Sequence, residues 1–199
     1  MLKRAFDIFF SAGALLVLCP MLCVVALWTK LDSAGPVFFR QRRVGLRGRE
    51  FLIFKFRTMH TDAQTGGPQI TVGVDTRITR AGAFLRKYKI DEFPQFINVL
   101  IGDMSVVGPR PEVPRYVMLY PSAARELVLS VRPGITDLAS IEYRDESVLL
   151  GRSANPENTY ITEVMPAKLA YCERYVRERS FVGDLAIVRR SFVASFTRR

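Results

Sequence analysis

The chain begins with MLKRAFDIFFSAGALLVLCPMLCVVALWTK, residues 1–30, and this stretch decides how the rest of the protein is placed. No residue from Ile8 to Thr29 is charged, which makes an apolar run of 22 residues. A helix of about 20 residues crosses the hydrocarbon core of a bilayer, which is roughly 30 Å thick. A signal peptide fits poorly, because the run is long and no small-residue cleavage site precedes residues 31–33. The sequence therefore predicts a membrane-embedded N-terminal helix.

Two features of this segment favour a helix that enters and leaves the membrane on one side. Pro20 lies near its middle, where a proline removes a backbone hydrogen bond and kinks a helix. Cations flank both ends, and the positive-inside rule favours the cytoplasm for each end. On the residues alone, a single anchor helix with a tolerated proline is an equal alternative. The flanking cations are Lys3, Arg4, Lys30, Arg40, Arg42, Arg43, Arg47 and Arg49.

Asp7 is an acidic residue at the start of the same segment. It lies one to two helical turns from Lys3 and Arg4. We expect these three side chains to pair with one another at the membrane interface.

The composition of the 199 residues is that of a folded and strongly basic protein. Apolar residues make up 49% of the chain, and the net charge is +10. Arginine outnumbers lysine by 23 to 6, and arginine suits planar oxyanions such as phosphates. This balance indicates nucleic acid, an anionic membrane surface or phosphorylated substrates as partners. Nucleic acid is disfavoured, because aromatic residues do not alternate with the arginines as they do in stacking platforms.

The cysteines indicate neither a disulfide framework nor a zinc site. There are three, Cys19, Cys23 and Cys172, and the first two lie four residues apart in the apolar segment. An odd number in this arrangement predicts small buried apolar side chains in a reducing compartment.

A β-hairpin is predicted in GPVFFRQRRVGLRGREFLIFKFRTM, residues 35–59, with its turn at residues 45–48. In the second strand Ile53, Lys55 and Arg57 share one face, because side chains alternate along a strand. Two cations on one face suit phosphate binding, although for a charge pair considered in isolation a solvated sheet face is the more usual explanation.

The stretch RKYKIDEFPQF, residues 86–96, places Asp91 and Glu92 side by side after three cations. A short helix is predicted over 80–89, and residues 60–77 before it are predicted to form a loop. A further helix is predicted from Asp91 to Gly102, with Asp91 as its N-cap and Pro94 in its first turn.

Arginine-bearing proline turns follow the acidic pair. GPRPE surrounds Arg110, and RPG occupies residues 132–134. Rigid arginines near two carboxylates suggest a site for a phosphate ester and a metal ion. No nucleotide-binding P-loop, serine hydrolase, zinc protease or CxxC motif is present in the sequence.

The C-terminal segment, residues 167–199, has a helical pattern. Leu185, Val188, Phe192 and Phe196 form one apolar stripe, with arginines beside it. Such a helix lies on an anionic membrane surface or packs on the folded domain, and the sequence does not distinguish these alternatives.

Five pieces of this sequence occur together in one known family. They are KRAFD at 3–7, PVFFRQRRVG at 36–45, FKFRTM at 54–59, TRAGAFLRKYKIDEFPQFINVLIGDMSVVGPRPE at 79–112 and VRPGIT at 131–136. In this order and spacing the chain resembles the bacterial sugar transferases. These are small monotopic phosphoglycosyl transferases that load a sugar phosphate onto a polyprenol phosphate. The resemblance covers nearly the whole chain.

The resemblance implies an α+β fold that is mainly helical. Residues 1–30 would form a re-entrant membrane helix bent at Cys19 and Pro20. Residues 31–199 would form a compact cytosolic catalytic domain with a small β-hairpin and amphipathic interface helices. The protein would lie on the cytoplasmic face of the bacterial inner membrane.

The resemblance also assigns the site residues. Asp91 matches the nucleophile of the family, and Glu92 matches its partner, the two together holding Mg²⁺. The residues that match positions near the substrate phosphates are Lys55, Arg57, Arg86, Arg110 and Pro111. The implied reaction is ping-pong. Asp91 would attack a UDP-sugar and release UMP, and undecaprenyl phosphate would then take the sugar phosphate.

The chain departs from the pattern of many relatives in its C-terminal third. Asp137 and Ser140 stand in RPGITDLAS where relatives have glycine and glutamine, and Cys172 stands where many have an acidic residue. We therefore predict no metal ligand in this third, and the donor sugar and glycan pathway stay open, as does a homodimer. The alternatives to an active transferase are a membrane-anchored basic scaffold and an inactive relative.

Overall fold

The structure is a computed structural model that describes residues 2–61 and 75–196, with side chains to residue 194. Most of the predicted loop, residues 62–74, lies outside the described residues. Helices predominate as predicted, beside two small sheets. The helices are α1 Leu2–Asp32, α2 Arg80–Lys87, α3 Gln95–Ile101, α4 Pro114–Val117, α5 Ser122–Val128, α6 Leu138–Glu142, α7 Glu146–Gly151, α8 Pro156–Thr159, α9 Met165–Glu178 and α10 Phe181–Phe196. The strands are β1 Phe38–Val44, β2 Glu50–Phe56, β3 Ser105–Val107 and β4 Gly134–Thr136.

The apolar N-terminal segment forms one 31-residue helix, α1, which stays helical through Pro20. By length and composition α1 is able to cross a membrane. Cys19 and Cys23 lie on the outer surface of this helix and are not packed against the described part of the folded domain. The helix is uninterrupted at the predicted bend, Cys19 and Pro20, and the re-entrant geometry therefore stays a prediction.

The N-terminal end of α1 is tied to the folded domain by buried polar contacts. Lys3 Nζ donates to Asp184 Oδ2 on α10 at 2.6 Å. Asp7 Oδ1 accepts hydrogen bonds from the Ser105 hydroxyl and the Val106 N–H, both at 3.0 Å. The predicted pairing of Asp7 with Lys3 and Arg4 is therefore wrong, because Asp7 binds the start of β3 instead.

The C-terminal end of α1 packs against the same domain. Val25 forms an apolar cluster with Phe56 of β2 and Leu85 of α2. The middle of the helix is different, since Leu16 and Val17 are largely exposed. Both ends of the apolar helix thus contact one body, while its central turns extend an apolar surface outward.

The predicted hairpin is present. β1 and β2 pair antiparallel, from Phe38 opposite Phe56 to Val44 opposite Glu50. Arg47 in the connecting turn has a left-handed backbone, with φ 56°. Ile53 and Phe56 lie on opposite faces of β2, because side chains alternate along a strand. Both are buried, each in a different apolar cluster. Neither face of this strand is therefore fully solvated.

Arg57 follows β2 and closes the C-terminal end of α1. Its guanidinium donates to the carbonyl oxygens of Thr29, Ser33, Ala34 and Pro36 and to the Ser33 hydroxyl, over 2.6–3.1 Å. These five bonds use all five N–H groups of an arginine. The side chain is 1% exposed. The prediction that Arg57 contacts substrate phosphate therefore does not fit this arrangement, because no donor is left for a phosphate.

We expect Arg57→Lys to lower the thermal midpoint of unfolding by about 4–24 °C. An ammonium has three donors, so at least two of the buried acceptors lose their partner, at about 1–3 kcal/mol each. Differential scanning fluorimetry in detergent measures the effect. Arg42→Lys is the matched control, because Arg42 is largely exposed and its contact with Glu50 is 3.6 Å. Equal midpoints for the two variants would contradict the assigned role.

A second sheet, not predicted from the sequence, consists of two parallel three-residue strands. Ser105 of β3 lies opposite Gly134 of β4. The chains approach so closely that a Cβ on Gly134 would meet the backbone of Gly108 at 2.1 Å. This contact needs glycine, and it fixes the start of the turn that carries Arg110.

The C-terminal segment forms two helices, α9 and α10. Ile187 is buried and Val188 packs against the main core, so α10 does pack on the domain. Leu185 and Phe192 of the predicted stripe are nevertheless exposed, at 42% and 66%. The side chain of Phe196 lies outside the described residues. The predicted stripe is thus divided, with one edge packed on the domain and the other largely exposed.

Candidate active site

The turn between α2 and α3 presents the acidic pair. Gly82 of α2 lies against the backbone of Thr58, where an added Cβ would clash at 2.1 Å. Lys89 then has a left-handed backbone, with φ 58°, which stops α2 and redirects the chain. Asp91 and Glu92 follow in a short 3-10 turn over residues 90–92.

The predicted N-cap at Asp91 is wrong, although the predicted end of the helix at Gly102 is correct. α3 begins at Gln95, and Pro94 occupies the N-cap position without a side-chain cap. Asp91 lies inside the preceding 3-10 turn, so its carboxylate is not used to cap the helix. Gly102 ends α3 with a left-handed backbone, at φ 105°.

Glu92 is held between two cations. Lys55 Nζ donates to Glu92 Oε1 at 2.8 Å, and the Arg110 guanidinium donates to both carboxylate oxygens, with a distance of 3.1 Å to Oε2. Burial alone would raise the pKa of Glu92, but Arg110 and Lys55 outweigh it and hold this pKa well below its usual range. Glu92 is therefore an ionised residue that fixes the two cations.

Asp91 has a contrasting environment. Its side chain is buried, and Oδ1 has no hydrogen-bond partner among the described residues. Burial, reinforced by the negative charge of Glu92, raises the pKa of Asp91. The two adjacent carboxylates thus have different environments. Glu92 is neutralised by cations, whereas Asp91 has an oxygen without a hydrogen-bond partner among the described residues.

Further cations border the pair. Arg86 Nε donates to the Thr58 hydroxyl at 2.8 Å. Burial lowers the pKa of Arg86, and the negative charge of Asp91 opposes this shift. Burial likewise lowers the pKa of Lys55 against the effect of Glu92. Lys55, Arg86 and Arg110 against two carboxylates leave the site with a charge of +1, which suits an anionic substrate.

Arg110 is positioned from behind by Asp137. Asp137 Oδ2 accepts from the Arg110 backbone N–H at 3.1 Å, and Oδ1 accepts from the Ser140 N–H at 2.6 Å, which caps α6. The Cys172 thiol also points to Asp137 Oδ2, at 3.8 Å. In the sequence, Asp137 was noted only as a departure from the family pattern. An aspartate directly before a helix is a typical N-cap, and this signal could have predicted its structural role.

Pro111 contributes through its backbone. Its carbonyl accepts from Arg43 Nη1 at 3.0 Å, and its ring is buried. Glu112 follows and accepts from the Tyr160 hydroxyl at 2.6 Å. Arg43, Glu112 and Tyr160 form a polar support beside Arg110 that the sequence reasoning did not identify.

The residues present suit a magnesium ion that is shared with a substrate. No group of three or more His, Cys, Asp or Glu ligands occurs within residues 2–61 and 75–196. Mg²⁺ is usually bound by one or two carboxylates together with substrate phosphates and water, and Asp91 and Glu92 provide that pair. The unpartnered Oδ1 of Asp91 is the acceptor that such an ion or a phosphate group would engage.

Five of the predicted site residues therefore come together: the acidic pair Asp91 and Glu92, and the cations Lys55, Arg86 and Arg110 that border it. Pro111 lies beside Arg110 in the wall of the site. Arg57 serves the end of α1, and Cys19 and Pro20 lie exposed on α1. The N-terminal helix is apolar enough to cross a membrane, and a buried carboxylate pair is surrounded by arginine and lysine. These two features are typical of a membrane-associated protein that binds an anionic ligand.

The chain belongs to the bacterial sugar transferase family, whose sequence profile matches residues 1–198. It is 43% identical over 203 residues to the exopolysaccharide production protein PSS of Rhizobium leguminosarum bv. phaseoli, covering 99% of this chain and 96% of that protein. It is 39% identical over 191 residues to the UDP-glucose:undecaprenyl-phosphate glucose-1-phosphate transferase of Escherichia coli K12, covering 94% and 39%.

A relative that is named for a different sugar has similar identity. The UDP-N-acetylgalactosamine-undecaprenyl-phosphate N-acetylgalactosaminephosphotransferase of Aeromonas hydrophila is 37% identical over 192 residues, covering 94% of this chain and 42% of that protein. The chain thus spans less than half of the two relatives named for their reactions, and family membership does not identify the donor sugar.

Proposed function

We propose that the protein transfers a sugar 1-phosphate from a UDP-sugar to undecaprenyl phosphate and releases UMP, as the first membrane step of a bacterial glycoconjugate pathway. The observation that carries this proposal is the unpartnered Oδ1 of Asp91 beside a Glu92 that is neutralised by Lys55 and Arg110. The names of the E. coli and Aeromonas relatives support the same reaction class.

The reaction would proceed through a covalent intermediate on Asp91. A carboxylate oxygen of Asp91 forms a bond to the β-phosphorus of the donor, and the bond to the bridging oxygen breaks, so that UMP leaves with the electron pair. An oxygen of undecaprenyl phosphate then forms a bond to the same phosphorus, and the aspartyl oxygen leaves as a carboxylate. Each step needs the negative phosphate oxygens to be neutralised, which is the role assigned to Arg110, Arg86 and Lys55.

Asp91 and Glu92 would hold Mg²⁺ together with the substrate phosphates. When bound, the ion supplies positive charge at the phosphate oxygens. Glu92 also keeps Arg110 and Lys55 in place, so its role does not depend on the ion alone.

The contacts at the two ends of α1 support a proposal for the membrane topology. A straight helix of 31 residues is about 46 Å long, enough to put its ends on opposite sides of a bilayer. Lys3 and Val25 nevertheless contact the same domain. We propose that α1 is re-entrant near Pro20 and that the catalytic domain lies on the cytoplasmic face of the inner membrane. Cysteine-accessibility labelling at both flanks tests this, and labelling from opposite sides would refute it.

The function is tested by UMP release from purified protein, assayed with a panel of UDP-sugars with and without undecaprenyl phosphate. An active transferase releases UMP continuously only when both substrates are present. A basic scaffold or an inactive relative releases none with any donor. The donor with the highest kcat/KM identifies the sugar.

A further inference from the structure

Lys89 is a cation beside the acidic pair that has no assigned role in the reaction. It stands two positions before Asp91 and begins the 3-10 turn that presents both carboxylates. Consecutive Cα atoms are about 3.8 Å apart, so the Cα atoms of Lys89 and Asp91 lie within about 8 Å of each other. The Lys89 carbonyl accepts from the Glu92 N–H at 3.2 Å. The backbone therefore holds the base of this side chain next to both carboxylates.

The positive charge of Lys89 acts on both members of the pair. Burial raises the pKa of Asp91, and the charge of Lys89 is one of those that oppose this shift. At Glu92 the same charge adds to those of Arg110 and Lys55, which together outweigh burial and lower the pKa. The ammonium of Lys89 is thus near enough to interact electrostatically with each carboxylate.

The other cations that border the pair are already held by protein atoms. Lys55 donates to Glu92 at 2.8 Å, and the Arg110 guanidinium donates to both oxygens of Glu92. Arg86 donates to the Thr58 hydroxyl at 2.8 Å. All three cations are half-buried. They make the site positive, but donor groups of each are engaged within the protein before a substrate arrives.

Lys89 differs from these three cations in both respects. Its side chain is exposed, and within residues 2–61 and 75–196 its ammonium has neither a hydrogen bond nor an ion pair. An ammonium has three N–H donors, and all three are open to a ligand here. Solvation alone would explain an isolated surface lysine. This lysine instead lies at a carboxylate pair whose proposed reaction needs the charge on phosphate oxygens to be neutralised.

We propose that Lys89 is a substrate-binding residue whose ammonium donates to a phosphate oxygen of a substrate while that phosphate lies at Asp91. This inference rests on the proposed function and adds a residue to the same site. The phosphate has two sources, the diphosphate of the UDP-sugar in the first half-reaction and undecaprenyl phosphate in the second. An exposed cation meets either one without the cost of burying an unpaired charge beforehand, and the resulting hydrogen bond is charge-assisted.

The side chain of Lys89 can be removed without disturbing the turn. Its backbone is left-handed, with φ 58°, a conformation that glycine adopts without steric cost and that asparagine tolerates. Lys89→Gly and Lys89→Asn should therefore keep or raise the thermal midpoint of unfolding, while kcat/KM for one of the two substrates falls about tenfold. Lys89→Arg should retain most of the turnover, because it keeps the charge.

Rapid-quench kinetics of UMP release, on the full-length protein in detergent, distinguishes the two sources of phosphate. A higher donor KM in the burst that precedes acceptor addition assigns Lys89 to the UDP-sugar diphosphate. A higher KM for undecaprenyl phosphate with an unchanged burst assigns it to the acceptor. In either case the difference from wild type should shrink as the salt concentration is raised, because an exposed charge is screened.

Arg47→Gly is the matched control. Arg47 is the other non-glycine residue with a left-handed backbone among the described residues, and it is an exposed cation in the hairpin turn. Its removal should leave kcat/KM for both substrates unchanged. Wild-type kinetics in Lys89→Gly and Lys89→Asn would overturn the proposal. So would parallel losses of thermal midpoint and activity, or an equal loss in Lys89→Arg that persists at high salt, since each indicates a structural role. A wild-type enzyme that releases no UMP with any donor would instead refute the proposed function.

Discussion

Asp91→Asn is expected to reduce steady-state UMP release by about 10³-fold or more. An amide of nearly the same shape cannot form the bond to phosphorus, and removal of a nucleophile typically costs this much or more. Burial raises the pKa of Asp91, so the ionised carboxylate is less favourable in the folded protein than in the unfolded chain. The variant should therefore fold with an unchanged or higher thermal midpoint. The assay is UMP release in detergent with the preferred donor and undecaprenyl phosphate.

The control for Asp91→Asn is the same substitution at Asp145, which is exposed at the start of α7. It should retain wild-type turnover. Full turnover by Asp91→Asn would end the assignment of Asp91 as nucleophile, whatever the control does.

Arg110→Met is expected to lower kcat/KM for the UDP-sugar by about 10²–10³-fold. Its guanidinium contacts both oxygens of Glu92, and loss of one donor to a developing phosphate charge costs about this factor. Among the described residues, the loss also leaves Lys55 as the one cation that donates to Glu92, which weakens the support of the acidic pair.

Arg110→Lys separates charge from geometry at this position. A lysine keeps the positive charge but cannot bind both oxygens of Glu92 in a fork, so a loss of about tenfold or more is still expected. Arg174→Met removes an exposed arginine on α9 that pairs with Glu178, and it should leave kcat/KM unchanged. Wild-type kinetics in Arg110→Met would show that the guanidinium does not act on the substrate.

Local sequence patterns correctly predicted the structural elements that depend on contacts between residues close together in the chain. The hairpin at β1 and β2 and the end of α3 at Gly102 follow from alternation and from a glycine that adopts a left-handed backbone. The parallel pairing of β3 with β4 was missed, because three-residue strands carry almost no periodic signal. What holds that pairing is a close approach of Gly108 and Gly134, which are distant in sequence.

The site shows the same limit. Asp91, Glu92 and Arg110 were assigned through the family resemblance, and the structure brings them together. Arg57 was predicted to bind phosphate because it shares the strand face of Lys55 and matches the family motif. In the structure, long-range contacts with the end of α1 use every N–H group of its guanidinium instead.

The most direct test of the account is to quench the wild-type enzyme with a UDP-sugar labelled in the sugar and to map the labelled peptide. The account predicts a single adduct on the peptide that contains Asp91, with the mass of the sugar phosphate, which disappears when undecaprenyl phosphate is added. Accumulation of labelled lipid product with no adduct at Asp91 at any quench time would contradict it.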